Sequence, residues 1–382
     1  MRRRFELTVW LALAASGCGG LREESTEIRI GFLADRPSPV AEAAVEAARL
    51  AVATVNAAGG IDVGGRPHSV TLFTEDTGNT PEMATRSTLE LINREKVVAI
   101  VGSSFSSQAI PSGEVAERAG IPMICPGSTH PQTTAGRRYV FRITFIDSLQ
   151  GRMMARFARE DLGVATAAVL YDIAEAYSRD IAAVFRRVFE EAGGRVVVFE
   201  SFTSGDRDFT RQLESIRDAE AEALFLPNFG AEAIAQGLQA RRLGLDAIFL
   251  GSDGWLTEGH TAHRELQGGF FSLIWHRDLK RENGVSDDFV AHYRRAYGHE
   301  PSGLAAVTYD AFGVLFRALA DAPRIDPESI REALSRIEGF PGVTGPITYR
   351  GRGGDPRQSV VIVRIEQDEV RVFKEMEAGV ER

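Results

Sequence analysis

Val97-Val98-Ala99-Ile100-Val101-Gly102-Ser103-Ser104-Phe105-Ser106-Ser107-Gln108 runs from an apolar segment straight into a cluster of hydroxyls. A short, unbroken apolar run bounded by glycine reads as a strand buried on both faces. Gly102 closes that strand, and a helix is expected from near Ser106 to near Gly120. Ile121–Cys125 is the next apolar run, and Pro126-Gly127-Ser128-Thr129 repeats the same kind of ending. Strand, hydroxyl-bearing loop, helix and strand in that order form a β-α-β unit. Such units build parallel sheets with helices on both faces.

The pattern extends in both directions. Upstream, Ile28–Ala34 is a first strand. Ala41, Ala44, Val45, Ala48, Val52 and Val55 then recur at helical spacing, and Gly59-Gly60 stops the helix. Val70–Glu75 is a second strand, followed by a helix from about Pro81 to Arg94. After Phe141–Phe145 the alternation restarts. Thr166–Tyr171, Arg195–Phe202, Ala223–Pro227 and Ala247–Gly251 read as strands, with helices from about Ser178, Asp208 and Ala231 between them. Asp287 to Leu334 is mostly helical, and Ser359–Ile365 is a final strand. Two sets of alternating elements in 382 residues predict an α/β fold of two doubly wound, Rossmann-like lobes. No low-complexity linker separates the sets, so the lobes are expected to share crossing segments.

Composition narrows the function. A hydrophobic content of 44% describes an ordinary globular chain. With a net charge of −9 and no Lys/Arg stripe beyond the first residues, a nucleic-acid partner is not expected. No Gly-x-Gly-x-x-Gly follows the first strand, and neither a Walker-type Gly-Lys-Ser/Thr nor a Gly-x-Ser-x-Gly elbow occurs. His260 and His263 are paired without a third ligand nearby, which suits a solvated loop. Neither catalysis, a cofactor nor a metal is expected.

The informative residues stand at strand ends, where open α/β sheets bind their ligands. A helix start offers unpaired N–H groups and a partial positive charge, so the loops around Ser106 and Ser128-Thr129 suit a carboxylate. Simple N-capping by these hydroxyls is the alternative. In the second set, Gly251-Ser252-Asp253-Gly254-Trp255 puts an acid at a strand end, fit to face an ammonium group. Tyr177 and Phe229 fall in equivalent strand-end loops. Donors on one lobe and an acid on the other would grip a zwitterion.

The start of the chain reads as a targeting segment. Arg2, Arg3 and Arg4 precede an apolar run from Leu7 to Ala15. That run is too short to cross a bilayer, and it suits a signal peptide over residues 1–17. Ala15-Ser16-Gly17-Cys18 resembles the bacterial lipobox, in which the cysteine is lipidated. Ala15 stands where Leu is commonest, and Glu6 intrudes near the apolar start. The alternative is ordinary cleavage with an incidental cysteine. With Cys18 lipidated, residues 18–27 form a tether, and Cys125 is expected to be a small buried hydrophobe. No later segment reads as apolar for long enough to cross a membrane.

Asn56-Ala57-Ala58-Gly59-Gly60-Ile61, Val101–Gln108, Ile124–His130, Arg241-Arg242-Leu243-Gly244-Leu245 and Gly251–Trp255 carry, in that order, a family likeness. From Ile28 to about Val370 the chain resembles the leucine/isoleucine/valine-binding group of type I periplasmic solute-binding proteins. The resemblance implies that Ser106 and Thr129 bind a ligand α-carboxylate with backbone help from Ser128. It implies that Asp253 takes the α-ammonium, and that Tyr177 and Phe229 line the pocket. Phe229 departs from a frequent tyrosine, and Val40 stands where leucine-type binders carry a tryptophan wall. Three hinge crossings are implied near Ile146, His276 and Gln358. They divide the chain into a lobe of residues 28–146 and 277–357 and a lobe of residues 147–276 and 358–382. The implied function is capture of an amino acid or related small molecule for an ABC importer. Its partners would be a permease and, through the lipid, the membrane on a periplasmic or extracellular face. A ligand-sensing receptor component with the same fold is the alternative.

Overall fold

A computed structural model describes residues 27–35, 39–256, 266–281, 284–367 and 369–377, with side chains from residue 41 onward in the first helix. The expectations for the signal peptide, Cys18, the tether, the Val40 side chain, His260 and His263 lie outside the described residues.

The first sheet is built from β1 (Glu27–Ala34), β2 (Ile61–Val63), β3 (Arg66–Asp76), β4 (Ala99–Val101), β5 (Met123–Cys125) and β6 (Val140–Arg142). Its order is β2-β3-β1-β4-β5-β6, with all neighbours parallel except the β2-β3 hairpin. Alternate side chains supply two cores, as the period of a strand requires. Phe32, Val101 and Ile124 join the core beneath α1 (Pro39–Ala57), whereas Leu33, Ile100 and Met123 join that beneath α2 (Pro81–Asn93) and α3 (Ser106–Ala119). Local chemistry fixes the joints. The Thr80 hydroxyl caps α2 by accepting from Met83 N–H at 3.2 Å, and Pro81 fills the first helical position. Asn56 ties the end of α1 to β3 through two 2.8 Å bonds to the Val70 backbone. Gly60 has φ +87° and lies so close to the His68 carbonyl that a Cβ would sit 2.2 Å from it. This accounts for the Asn56–Ile61 stretch.

The chain then enters α4 (Asp147–Arg156), whose last turn widens into a π-helix at Phe157–Asp161. Next come β7 (Thr166–Asp172), α5 (Ala176–Glu191), β8 (Arg195–Phe202), α6 (Thr210–Asp218), β9 (Ala223–Leu226), α7 (Gly230–Arg242) and β10 (Ile248–Gly251). A 3-10 turn at Asp253–Leu256 and β11 (Phe270–Leu273) follow. Three helices, α8 (Val285–Tyr297), α9 (Gly303–Asp321) and α10 (Pro327–Arg336), return to the first sheet, and α9 lies along α1. A two-residue hairpin, β12 (Phe340–Pro341) with β13 (Pro346–Ile347), precedes β14 (Ser359–Glu366) and β15 (Glu369–Glu377). The second sheet runs β15-β14-β11-β10-β9-β7-β8. It too is doubly wound: Val169, Phe225 and Leu250 face α4 and α5, and Leu170, Leu224 and Phe249 face α6 and α7.

The expected two-lobed α/β architecture is present, with corrections at its edges. Ser359–Ile365 is not the final strand, because β15 pairs with it antiparallel. Tyr177 lies in the first turn of α5 rather than in a loop. Contrary to the sequence expectation, α9 is long and apolar enough to cross a membrane. Its apolar side chains, among them Phe312 and Leu315, are instead buried in the core of the first lobe. Burial is what holds the fold. Phe185 stacks on Phe225 at 4.2 Å in the second lobe, and truncating such a ring costs about 3–5 kcal/mol. Exposed pairs such as Arg317–Asp321 contribute only about 0.3–0.5 kcal/mol each.

Candidate functional site

The site residues follow the carboxyl ends of strands in both sheets: β4 and β5 in the first, and β7, β9 and β10 in the second. In the first lobe Gly102 ends the strand turn, with φ +109° and no room for a Cβ against the Leu33 backbone. Ser106 opens α3, but the helix is N-capped by Phe105, whose side chain makes no capping bond. Ser106 is therefore not spent as a cap. Its Oγ lies 3.0 Å from Ser128 Oγ and accepts from His130 N–H at 3.4 Å. Ser128 Oγ is in turn 2.6 Å from Thr133 Oγ1. Ser128 and Thr129 are both buried. The two hydroxyl loops anticipated from sequence thus form one connected patch at the start of α3.

In the second lobe the Tyr177 hydroxyl donates to Asp253 Oδ1 at 2.5 Å. A phenol has one proton, so its other contacts reach the oxygen as donors. They are Gly254 N–H at 3.0 Å and the Ser252 hydroxyl at 2.8 Å. Phe229 is half-buried and stacks on the Tyr177 ring at 5.2 Å, with only 13° between planes. Burial, followed by the Asp253 charge, pushes the Tyr177 phenol well above its ordinary range. The sequence suggests no structural partner for Asp253; the structure gives it several.

Two functional groups have no signal in the sequence reading. Asp147, the first residue of α4, is 1% exposed and shares a hydrogen bond with the Thr129 side chain. Its backbone N–H also donates to the Thr129 carbonyl at 3.0 Å. Gln150, fully buried one turn later, donates to Asp147 Oδ1 at 3.2 Å and accepts from Asp253 N–H at 3.4 Å and Ser272 Oγ at 2.9 Å. Gln150 therefore bridges the two acids. Burial pushes the Asp147 carboxyl up to about 7, and the nearby Asp253 charge pushes the same way against its bonds to Thr129 and Gln150. Burial also raises Asp253, opposed by its bonds from Tyr177, Gln150 and the local backbone. Asp147 Oδ2 has no hydrogen-bond partner among the described residues. Unpaired buried acid is costly, so this corner favours a cation.

The two lobes also meet directly. His130 Nε2 lies 3.6 Å from Asp180 Oδ2 on α5. His130 Nδ1 accepts from Gln132 N–H, which leaves the neutral ring with its proton on Nε2, facing the acid. Hydroxyls at a helix start and two carboxylates, meeting at Thr129 and Asp147, are complementary to a small molecule bearing both charges.

Over residues 27–369 the sequence matches the family described as Periplasmic binding protein. The chain belongs to the periplasmic binding protein family. Members of this family are solute-binding proteins rather than enzymes, as the missing catalytic motifs lead one to expect. This periplasmic binding protein is 28% identical to the leucine-, isoleucine-, valine-, threonine-, and alanine-binding protein of Pseudomonas aeruginosa over 354 residues, 90% of this chain and 91% of the relative. An amino acid binding protein of the same organism is 30% identical over 85% of this chain and 87% of its own length. Among solved structures, the branched-chain amino acid transporter substrate binding protein of Streptococcus pneumoniae, in complex with isoleucine, superposes with a TM-score of 0.81. It is 26% identical, and the match covers 92% of this chain and 99% of that one. The type I fold of the periplasmic binding proteins is thereby established for this chain.

Proposed function

We propose that the chain is an exported lipoprotein that captures a free amino acid between its lobes and hands it to the permease of an ABC importer. The observation that carries this reading is the juxtaposition of the Ser106–Ser128–Thr129 patch and the Asp147–Asp253–Tyr177 cluster, which meet at Thr129 and Asp147. The α-carboxylate binds the Ser106 and Thr129 hydroxyls and the Ser128 backbone at the start of α3. The α-ammonium binds Asp253, with Asp147 as a second carboxylate, and Tyr177 and Phe229 wall the pocket. Each hydrogen bond to a charged group contributes about 1.5–3 kcal/mol, enough in combination for selective capture. Closure turns on crossings near Ile146, His276 and Gln358, between a lobe of residues 28–146 and 277–357 and a lobe of residues 147–276 and 358–382. Contacts to both lobes make the ligand stabilise the closed form, which a permease can then distinguish from the empty one.

The relatives' names support amino acids as the class to try first. A thermal-shift screen of the mature chain against amino acids, their amides and small carboxylates tests the reading. At least one free amino acid should raise the melting temperature by several degrees. Stabilisation by simple carboxylates alone would refute it.

Cys18 anchors the mature chain to a membrane on its periplasmic or extracellular face. Mass spectrometry of the natural protein should find lipid on Cys18, and Cys18→Ser should be released or remain unprocessed. A soluble, lipid-free species would overturn the anchor.

A further inference from the structure

Arg142 ends β6 and is 0% exposed, an expensive place for a permanent charge. Its guanidinium is spread over the loop that carries Ser128 and Thr129. Nη1 donates to the Ser128 carbonyl at 2.9 Å. Nη2 donates to the His130 carbonyl at 2.9 Å and to Thr134 Oγ1 at 2.8 Å, with the Pro131 carbonyl at 3.5 Å. Nε donates to Asp355 Oδ1 at 2.6 Å, and that carboxylate also accepts from the Thr134 hydroxyl at 2.7 Å.

A trans peptide holds its carbonyl and the following N–H on opposite sides. With the Ser128 carbonyl drawn toward Arg142, the Thr129 N–H must point away from the guanidinium. His130 is followed by Pro131, which has no N–H, so the second carbonyl bond fixes the loop without adding a donor. We infer that Arg142 is the positioning residue of the carboxylate subsite: by holding the Ser128 carbonyl it aims the Thr129 N–H at the ligand without touching it. This inference rests on the reading of that loop as the carboxylate cradle.

The same residue ties the cradle to the approach of the last crossing. The Arg142 N–H donates to the Gly354 carbonyl at 2.9 Å, and the Tyr349 hydroxyl donates to the Arg142 carbonyl at 2.7 Å. Position 354 has to be glycine, because a Cβ would lie 2.2 Å from the Val140 carbonyl. The segment from Tyr349 to Asp355, just before β14, is therefore clasped over the end of β6. A lysine would keep the charge but not the planar fork that holds two carbonyls and a hydroxyl at once.

The test uses Arg142→Lys and Asp355→Asn in the mature protein, with two readouts. The first is hydrogen exchange without ligand in residues 127–135 and, as internal control, in residues 102–108. The second is calorimetry with L-leucine, L-valine and L-alanine, each against its amide. Arg142→Lys should speed exchange in residues 127–135 at least tenfold, leave residues 102–108 unchanged, and cut the preference for acid over amide at least tenfold. Asp355→Asn, which alters only the partly exposed end of the network, should shift both readouts the same way by less, and it decides the matter if Arg142→Lys does not fold. Unchanged exchange in residues 127–135, or equal weakening of acid and amide, would mean that Arg142 merely staples β6 to the Tyr349–Asp355 segment. Should the wild-type protein bind neither these three nor any other amino acid in the thermal-shift screen, the proposed function fails, and the exchange measurement alone judges Arg142.

Discussion

Asp253→Ala is expected to weaken amino-acid binding by roughly thirtyfold or more while the protein still folds. Removing one member of a desolvated charge pair strands the other, at about 2–5 kcal/mol, and each ~1.4 kcal/mol is a tenfold change. Folding survives because the carboxylate is a liability in the empty protein, where burial already disfavours its charged form. Tyr177, which loses its acceptor, keeps Ser252 and Gly254 as neighbours at 2.8 and 3.0 Å. Asp253→Asn retains an acceptor without the charge and should fall between the wild type and the alanine variant. Calorimetry with the best ligand from the screen decides. Near-wild-type affinity together with a lowered melting temperature would make Asp253 a turn-forming residue and would remove the ammonium from the account.

The second large effect is a pH dependence carried by Asp147. Burial holds its folded carboxyl up at about 7, against 3.8 for a free aspartate, so between those values the folded state binds the extra proton. Asp147 therefore lowers the stability of the empty protein as pH rises through that window, and the empty protein should melt higher near pH 5 than near pH 8 on its account. Ligand binding has the opposite slope. An ammonium group favours the ionised acid, so affinity should climb with pH up to about 7, by at most about tenfold per unit, and then level off. Asp147→Asn should weaken binding and flatten the profile. Titrations across that range check it. Affinity that falls as pH rises would mean that Asp147 meets the ligand as a neutral acid, donating a hydrogen bond rather than neutralising a charge.

How much of this was legible differs by element. Apolar runs such as Val97–Val101 and Ala223–Leu226 announce buried parallel strands, and the serines after the first of them point to the proposed carboxylate side of the site. Strands β4, β5 and β6 are shorter than their apolar runs, at three residues each. β15 alternates charged and apolar residues, Val370 and Val372 among them, so a reading by continuous apolar runs passes over it. Asp147 is hidden for a different reason. An acid in the first turn of a helix is ordinary compensation of the helix dipole, and only the packing of α4 against the 3-10 turn and β11 turns it toward Asp253. Gln150 and Arg142 are equally silent. Their types suit a solvated surface, and their roles come from complete burial among partners up to 213 residues away.

Closure around an amino acid is the centre of the account, and small-angle scattering of the mature protein with and without a saturating amino acid measures it most directly. The radius of gyration should fall on addition of the ligand and recover after dialysis, with the amino acid returned chemically unchanged. An identical radius in both states, at a concentration where calorimetry shows the site filled, would contradict the clamp.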